Sequence, residues 1–385
     1  MINSSKNSLL PIGFTDTLYP EASNEAHALE RIITFFSSNG YQQVNLPLLE
    51  FEESLFDGTG VSMTEQTFRL MDPISQKMMG IRADMTPQIA RVATTRLRGE
   101  PRPLRLCYGG QVLRIKGSQL RSKRQFTQVG AELIGTKSPI ADAEVVLIAV
   151  SALRDIGVKN ISVDLGLPRL APNLMNECGI KGETAAAMRS ALNRKDFSEV
   201  CAIASSSGQR AATIFPALMS AAGPVESAIK KLNALKLGDN ANLERSHLGE
   251  VAELICSSAP DVGLTIDPVE DRSFKYHAGV TFSLYCKGIQ GELGSGGRYM
   301  AGNGKDVENA TGLTLFLDTL IKVIPNRASK MRIFLPYGTP LDKGTELRAE
   351  GWITINSIEK EQDPIAEATR LRCDTYLGSK GIEKI

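Results

Sequence analysis

The chain has 385 residues, 42% of them apolar, with 44 Lys and Arg against 43 Asp and Glu and a formal net charge of +1. That apolar share supplies a sizeable core and excludes an intrinsically disordered chain. The near-neutral balance lacks the global basic field of a dedicated nucleic-acid binder.

Residues 1–20 form a polar lead-in, and MINSSKNSLL is too polar for a secretory signal. Ala28, Ile32, Ile33, Phe35 and Phe36 recur at near-helical spacing, which predicts a helix over 21–39 stopped by Gly40. Tyr41 to Glu50 reads as a strand, 53–65 as loop, and Phe68 to Arg82 as a hairpin turning at 72–75. Thr86 and Pro87 suit the N-cap and first position of a helix running to about Leu97. Residues 104–115 and 124–134 predict two antiparallel strands joined by a basic tip at 116–123. A helix is expected over 141–156 and a short strand over Ile161–Leu165.

Residues 169–255 are rich in Ala, Leu, Lys and Glu and predict a helical insertion without strands. Strands are expected at 279–286 and 290–294, a turn at Gly294–Gly297, and a strand running into a helix over 309–323. After Pro325, Arg332–Leu335, Leu341–Glu350 and Trp352–Ile355 have a strand–helix–strand pattern. The domains expected are 1–168 with 256–325, the insertion 169–255, and a C-terminal segment 326–385. At roughly 100–200 residues per domain, the length agrees with two or three units. Hairpins, flanking helices and a late return to sheet predict an α+β fold.

No run of about 18 uncharged apolar residues occurs, so no membrane span is expected. Cys107, Cys178, Cys201, Cys256, Cys286 and Cys373 form no C-x-x-C pair and read as reduced thiols of a cytoplasmic protein. His27, His247 and His277 lie too far apart in sequence to suggest a metal site, and no cofactor is expected.

The most informative stretch is Arg124 to Leu133. Strand alternation places Gln128, Gly130 and Glu132 on one face, either as the floor of a small polar pocket or as an ordinary solvent-facing surface. Asp84 and Thr86 either cap a helix or face a cavity that receives an ammonium group. Arg114, Lys116, Arg121, Lys123 and Arg124 either grip phosphates or form a solvated tip. The run Gly291–Gly297 lacks the Gly-Lys-Ser/Thr of a P-loop.

Taken in order over about residues 9–325, these stretches resemble the catalytic domain of histidyl-tRNA synthetase, a class II aminoacyl-tRNA synthetase. Gly40-Tyr41 through Glu50 is similar to the first class II motif, which builds the dimer interface. Leu113-Arg114-Ile115-Lys116 with the strand to Glu132 is similar to the second. Arg82 to Thr86, Arg272 to Gly279, and Gly296-Gly297-Arg298-Tyr299 resemble family markers. The resemblance implies a class II synthetase-like antiparallel sheet flanked by helices, with a helical insertion and a small C-terminal α/β segment. It also implies a histidine-binding set. Asp84, Thr86 and Gln128 would hold the ammonium, and Glu132 would accept from the imidazole. Tyr276 and His277 would close the imidazole side, Arg272 would face the carboxylate, and Arg114 belongs with this group.

The departures are as informative. Lys116 stands where a working synthetase carries an acidic residue, and Phe316-Leu317-Asp318-Thr319 where it ends in Gly-Leu-Glu-Arg. Thr319 cannot supply a bidentate cation, and the tail after Pro325 is short for a full anticodon-binding domain. A kept amino-acid pocket beside an eroded nucleotide site is similar to the regulatory-subunit branch of ATP phosphoribosyltransferase, and His277 fits that branch. This implies a subunit without catalysis of its own. Its partner would be a short-form catalytic subunit and its ligand histidine, with a homodimer inside a hetero-octamer carrying feedback inhibition. A divergent histidyl-tRNA synthetase and a tRNA-sensing module are the alternatives.

Overall fold

The computed structural model describes residues 10–117, 121–270, 277–304, 307–325 and 331–385. Arg272 and Tyr276 therefore lie outside the described residues. The chain divides into two compact units, Met1–Pro325 and Asn326–Ile385.

Unit one begins with helix α1 (Glu21–Ser38), strands β1 (Gln42–Gln43) and β2 (Leu49–Phe51), helix α2 (Glu52–Leu55) and a 3-10 helix at Gly58–Gln66. Strands β3 (Arg69–Met71) and β4 (Met78–Ile81), helix α3 (Thr86–Thr94), and strands β5 (Leu104–Leu113) and β6 (Gln125–Ile134) follow. Helix α4 (Pro139–Asp155) and strand β7 (Ile161–Gly166) lead into the helical stretch. That stretch holds α5 (Leu170–Glu177), α6 (Gly182–Asn193), α7 (Phe197–Ser206), α8 (Gln209–Ser220), β8 (Gly223–Pro224), α9 (Val225–Asn233) and α10 (Asp239–Ser258). Strands β9 (Gly263–Asp267), β10 (His277–Cys286), β11 (Gly294–Ala301) and β12 (Glu308–Phe316), then helix α11 (Leu317–Leu320), complete the unit. Unit two holds β13 (Arg332–Leu335), α12 (Leu341–Ala349), β14 (Ile353–Asn356), α13 (Pro364–Arg370), β15 (Thr375–Gly378) and β16 (Gly381–Lys384). Its four strands run in the order β14-β13-β15-β16.

The nine-stranded sheet of unit one has the order β1-β5-β6-β12-β11-β10-β7-β9-β8. It is antiparallel through its centre and parallel only at the β1–β5 and β7–β9 pairs. Strand alternation sorts its residues cleanly. Val129, Ala131, Leu133, Leu313 and Leu315 enter the main core with Ile32 and Phe36 of α1 and Val145, Val146 and Ala149 of α4. Burying a side chain the size of Ile32 or Phe36 contributes roughly 1.5–3 kcal/mol. The opposite face carries Tyr108, Phe126, Tyr299 and Phe316, which pack with Met85 and with Ile89 of α3. Arg105 adds a polar tie, donating from Nε to Oε1 (2.8 Å) and from Nη2 to Oε2 (2.8 Å) of Glu144 on α4.

Helix α1 ends as its sequence predicts. Gly40 has φ +85°, its N–H donates to Ser37 O at 3.0 Å, and Tyr41 N–H donates back to Phe36 O at 3.1 Å. Several expectations change. The strand expected from Tyr41 to Glu50 is two short strands in different sheets, on either side of Pro47. The stretch expected to lack strands contains Gly223–Pro224, which pairs with β9 at the sheet edge. The expected turn at Gly294–Gly297 is instead the start of β11. Glycine is needed there by close approach rather than by turning: a Cβ on Gly296 would lie 2.1 Å from Gly312 O, and one on Gly294 2.4 Å from Thr314 O.

Candidate functional site

The site forms where the middle of β6 meets β5, β12, β11 and the start of α3. Glu132 is 1% exposed. Its Oε1 accepts from Thr86 Oγ1 at 3.0 Å and Tyr108 OH at 3.1 Å, and its Oε2 accepts from Tyr299 OH at 2.9 Å. The Tyr108 hydroxyl also lies 3.2 Å from Thr314 Oγ1 and 3.3 Å from Thr86 Oγ1. The room for the carboxylate comes from Gly312, directly across on β12, where a Cβ would lie 1.6 Å from Oε2. Gly130 does not open a gap above the sheet as its position suggests, because the Tyr108 ring occupies that space, 2.5 Å from where a Cβ would stand.

Burial pushes the Glu132 carboxyl up to about 8, with the charge of Asp84 adding to the rise and the three hydroxyl donors opposing it. Burial first, then Glu132 and Asp84, also lifts the Tyr108 phenol well above its ordinary value. Near neutral pH the cluster therefore holds a proton.

Asp84 is 5% exposed. Its Oδ1 accepts from the Thr86 N–H at 2.9 Å, and its Oδ2 accepts from Gln128 Nε2 at 3.3 Å and lies 3.8 Å from Arg114 Nη2. The helix thus begins at Thr86 rather than being capped by it. Asp84 takes the first free N–H, which leaves the Thr86 hydroxyl for Glu132. Gln128 is fully buried and stands behind Asp84, its Oε1 accepting from Met85 N–H at 3.2 Å.

Arg114 donates from Nε to Ala83 O at 3.2 Å and stacks 5.1 Å from the Phe126 centroid. Among the described residues its Nη2 is buried without a hydrogen-bond acceptor. The other arginines of the expected basic tip also lie on aromatic rings. Arg121 sits 3.7 Å over Phe316 and pairs with Asp318 at 3.1 Å, and Arg124 sits 4.9 Å over Phe14. Lys116 is exposed, whereas Thr319 is buried at the start of the sequence that leaves the sheet.

An opening of about 360 Å³, continuous with solvent, is lined by Asp84, Thr86, Glu132, His277, Tyr299 and Thr314 among others. It brings together four of the residues expected from sequence, with Gln128 and Arg114 as neighbours of Asp84. Sequence reasoning gave no site role to Tyr108, Tyr299, Thr314 or Gly312. Tyr108 becomes visible only once the register pairs it with Gly130, because that puts it on the Glu132 face. Removing its hydroxyl with Tyr108→Phe should cost about 1–2 kcal/mol while the ring still covers Gly130; a urea melt reads this.

The family described as histidyl-tRNA synthetase matches residues 13–320. A protein of Paramagnetospirillum magneticum named ATP phosphoribosyltransferase regulatory subunit is 47% identical over 385 residues, covering 100% of both chains. One of that name from Rhodospirillum centenum is 46% identical over 99% of this chain and 97% of its own. The chain belongs to the ATP phosphoribosyltransferase regulatory subunit family. The structure of an ATP phosphoribosyltransferase regulatory subunit/histidyl-tRNA synthetase from Bacillus halodurans matches with TM-score 0.81 and 23% identity, over 96% of this chain and 97% of that one. Histidyl-tRNA synthetase from Nostoc sp. PCC 7120 matches with TM-score 0.80 and 19% identity, over 98% and 93%. These likenesses establish the histidyl-tRNA synthetase-like α+β fold that this family shares.

Proposed function

We propose that the chain is a non-catalytic subunit that binds histidine and, through it, feedback-inhibits a short-form ATP phosphoribosyltransferase catalytic subunit in the cytoplasm. The observation that carries the reading is the Glu132 cluster. A buried carboxyl ringed by Thr86, Tyr108 and Tyr299, beside the carboxylate of Asp84, suits a ligand with an ammonium group and an N–H-bearing ring. In this reading the ammonium sits on Asp84 and the imidazole on Glu132. Gln128 and Arg114 orient Asp84, and His277 closes the ring side. Arg272 and Tyr276 complete the set on the carboxylate and imidazole sides.

Loss of catalysis is supported by Lys116 and Thr319 standing where an acidic residue and a phosphate-binding arginine would be needed. The family name supports the catalytic-subunit partner. The homodimer within a hetero-octamer follows from the family resemblance, and the small β2-β4-β3 sheet, which exposes Phe51, Met71, Met78 and the neighbouring Ile74, offers a surface for association.

The test is activity of a short-form catalytic subunit measured alone, with this chain, and with this chain plus histidine. Stimulation by the chain and its reversal by histidine are expected; activity indifferent to histidine would overturn the reading. The retained Arg114 beside Asp84 is what favours a divergent synthetase, and histidine-dependent ATP–pyrophosphate exchange by the chain alone would establish that instead.

A further inference from the structure

The strands that carry His277 and Tyr299 are held from behind by a buried polar cluster that takes no part in the pocket. Arg298, between Gly297 and Tyr299, points to the opposite face of β11 and is 5% exposed. Its Nε and Nη2 donate to Asp142 Oδ2 at 3.0 and 2.7 Å. Its Nη1 and Nη2 donate to Thr136 O and Ser138 O, both at 2.9 Å. Asp142 lies in the first turn of α4 and is 3% exposed. The same Oδ2 is 2.6 Å from Nε2 of His247, which comes from α10 in the helical stretch.

The cluster also bears on β10. Pairing of β10 with β11 shifts register between His277 and Thr281, and Gly279 lies in that irregular segment. A Cβ on Gly279 would stand 3.0 Å from Arg298 Cδ, so the arginine stem is packed directly beneath the backbone that delivers His277. A second bond from the edge of the helical stretch reaches the same place: Arg169, at the start of α5, donates from Nη1 to Ala278 O at 3.4 Å. One polar link and one packed arginine stem, both tied to the helices, thus converge on Ala278 and Gly279, next to the pocket wall.

We infer that His247, Asp142 and Arg298 are positioning residues through which the helices of residues 170–258 set the geometry of the His277–Tyr299 side of the pocket. This rests on the histidine-pocket reading above. The physical reason is that Asp142 can hold the guanidinium in one orientation only while its own carboxylate is held. His247 supplies the third donor to that oxygen. Removing it leaves Arg298 tied to Thr136 O and Ser138 O but paired with a carboxylate no longer fixed from α10, so the arginine stem beneath Gly279, and Tyr299 beside it, lose one of their restraints.

The test compares the full-length His247→Leu and His247→Gln variants with the parent chain. Calorimetric titration with histidine should show affinity about five- to tenfold weaker for His247→Leu, with most of it restored in His247→Gln, whose amide can donate to Asp142. A stabilising role alone would lower the melting temperature of His247→Leu and leave its histidine affinity equal to the parent's, and that result would overturn the inference. Hydrogen exchange of the unliganded chains provides an arm that does not need histidine. His247→Leu should exchange faster in His277–Cys286 and Gly294–Ala301, with α3 unchanged. Unaltered exchange in those strands would also sink the link. Failure of the parent chain to bind histidine would remove the ligand reading while the exchange result still judges the link.

Discussion

The Glu132→Gln variant should be more stable than the parent chain at pH 8 and should bind histidine at least about tenfold more weakly. Burial holds the Glu132 carboxyl at about 8 in the folded chain, against 4.5 for the ordinary group. Below about 4.5 the group is protonated in both folded and unfolded states, and folding carries no penalty. Between about 4.5 and 8 the unfolded chain releases a proton that the folded chain keeps. Stability then falls by about 1.4 kcal/mol per pH unit as pH rises, up to about 4–5 kcal/mol at the top of the window. An amide does not titrate, and its oxygen still accepts from Thr86 and Tyr108. The variant should therefore have a flatter stability profile, and its advantage should widen from pH 5 to pH 8. Denaturant melts at three pH values check this, and parallel profiles would contradict it.

The same substitution removes the anionic acceptor proposed for the imidazole. A charge-assisted bond is worth about 1.5–3 kcal/mol, so histidine affinity should drop at least about tenfold. In the parent chain, histidine should drive Glu132 towards its ionised form and release a proton near neutral pH. Titrations in buffers of different ionisation enthalpy should give different apparent heats for the parent and equal heats for any residual binding by the variant. A site that gains stability when its ligand acceptor is removed is the usual signature of stability given up for function.

The second large effect is expected at Gly312. In Gly312→Ala the new methyl would stand 1.6 Å from Glu132 Oε2 and 2.4 Å from Cδ. The carboxyl has to swing away, and the Tyr299 bond to Oε2 is broken. Because β12 is paired on both sides, by β6 and β11, the backbone has little freedom to yield. Overpacking costs about 1–3 kcal/mol and a displaced buried polar group adds about 1–3 kcal/mol. A loss of roughly 2–6 kcal/mol in a urea melt is expected, together with no measurable histidine binding. Gly99→Ala, where nothing lies within 4 Å of the new methyl, serves as the neutral control. Equal melts for the two variants would show that the carboxyl is not fixed as described.

Much of the framework was legible along the chain. The apolar spacing of Ala28, Ile32 and Phe36 with Gly40 behind them determined α1 and its end, because helix periodicity and a left-handed stop are local properties. Alternation along Arg124–Leu133 determined which residues of β6 share a face, and so put Gln128 and Glu132 together. The ordered motifs, with Lys116 and Thr319 out of pattern, pointed to the family in which full-length relatives place the chain.

What the sequence could not determine depended on partners distant along the chain. Tyr108, Tyr299 and Gly312 meet at Glu132 only through the β5–β6–β12–β11 register, which is set by packing across the whole sheet. The glycines at 294–297 read locally as a turn, and only the carbonyls of β12 facing them show that they are there for close approach. Thr86 read locally as a cap, and only the placement of β6 over α3 turned its hydroxyl to the carboxyl. The feature with the most chemistry, a carboxyl held near a pKa of 8, is a property of burial, and burial exists only in the tertiary structure.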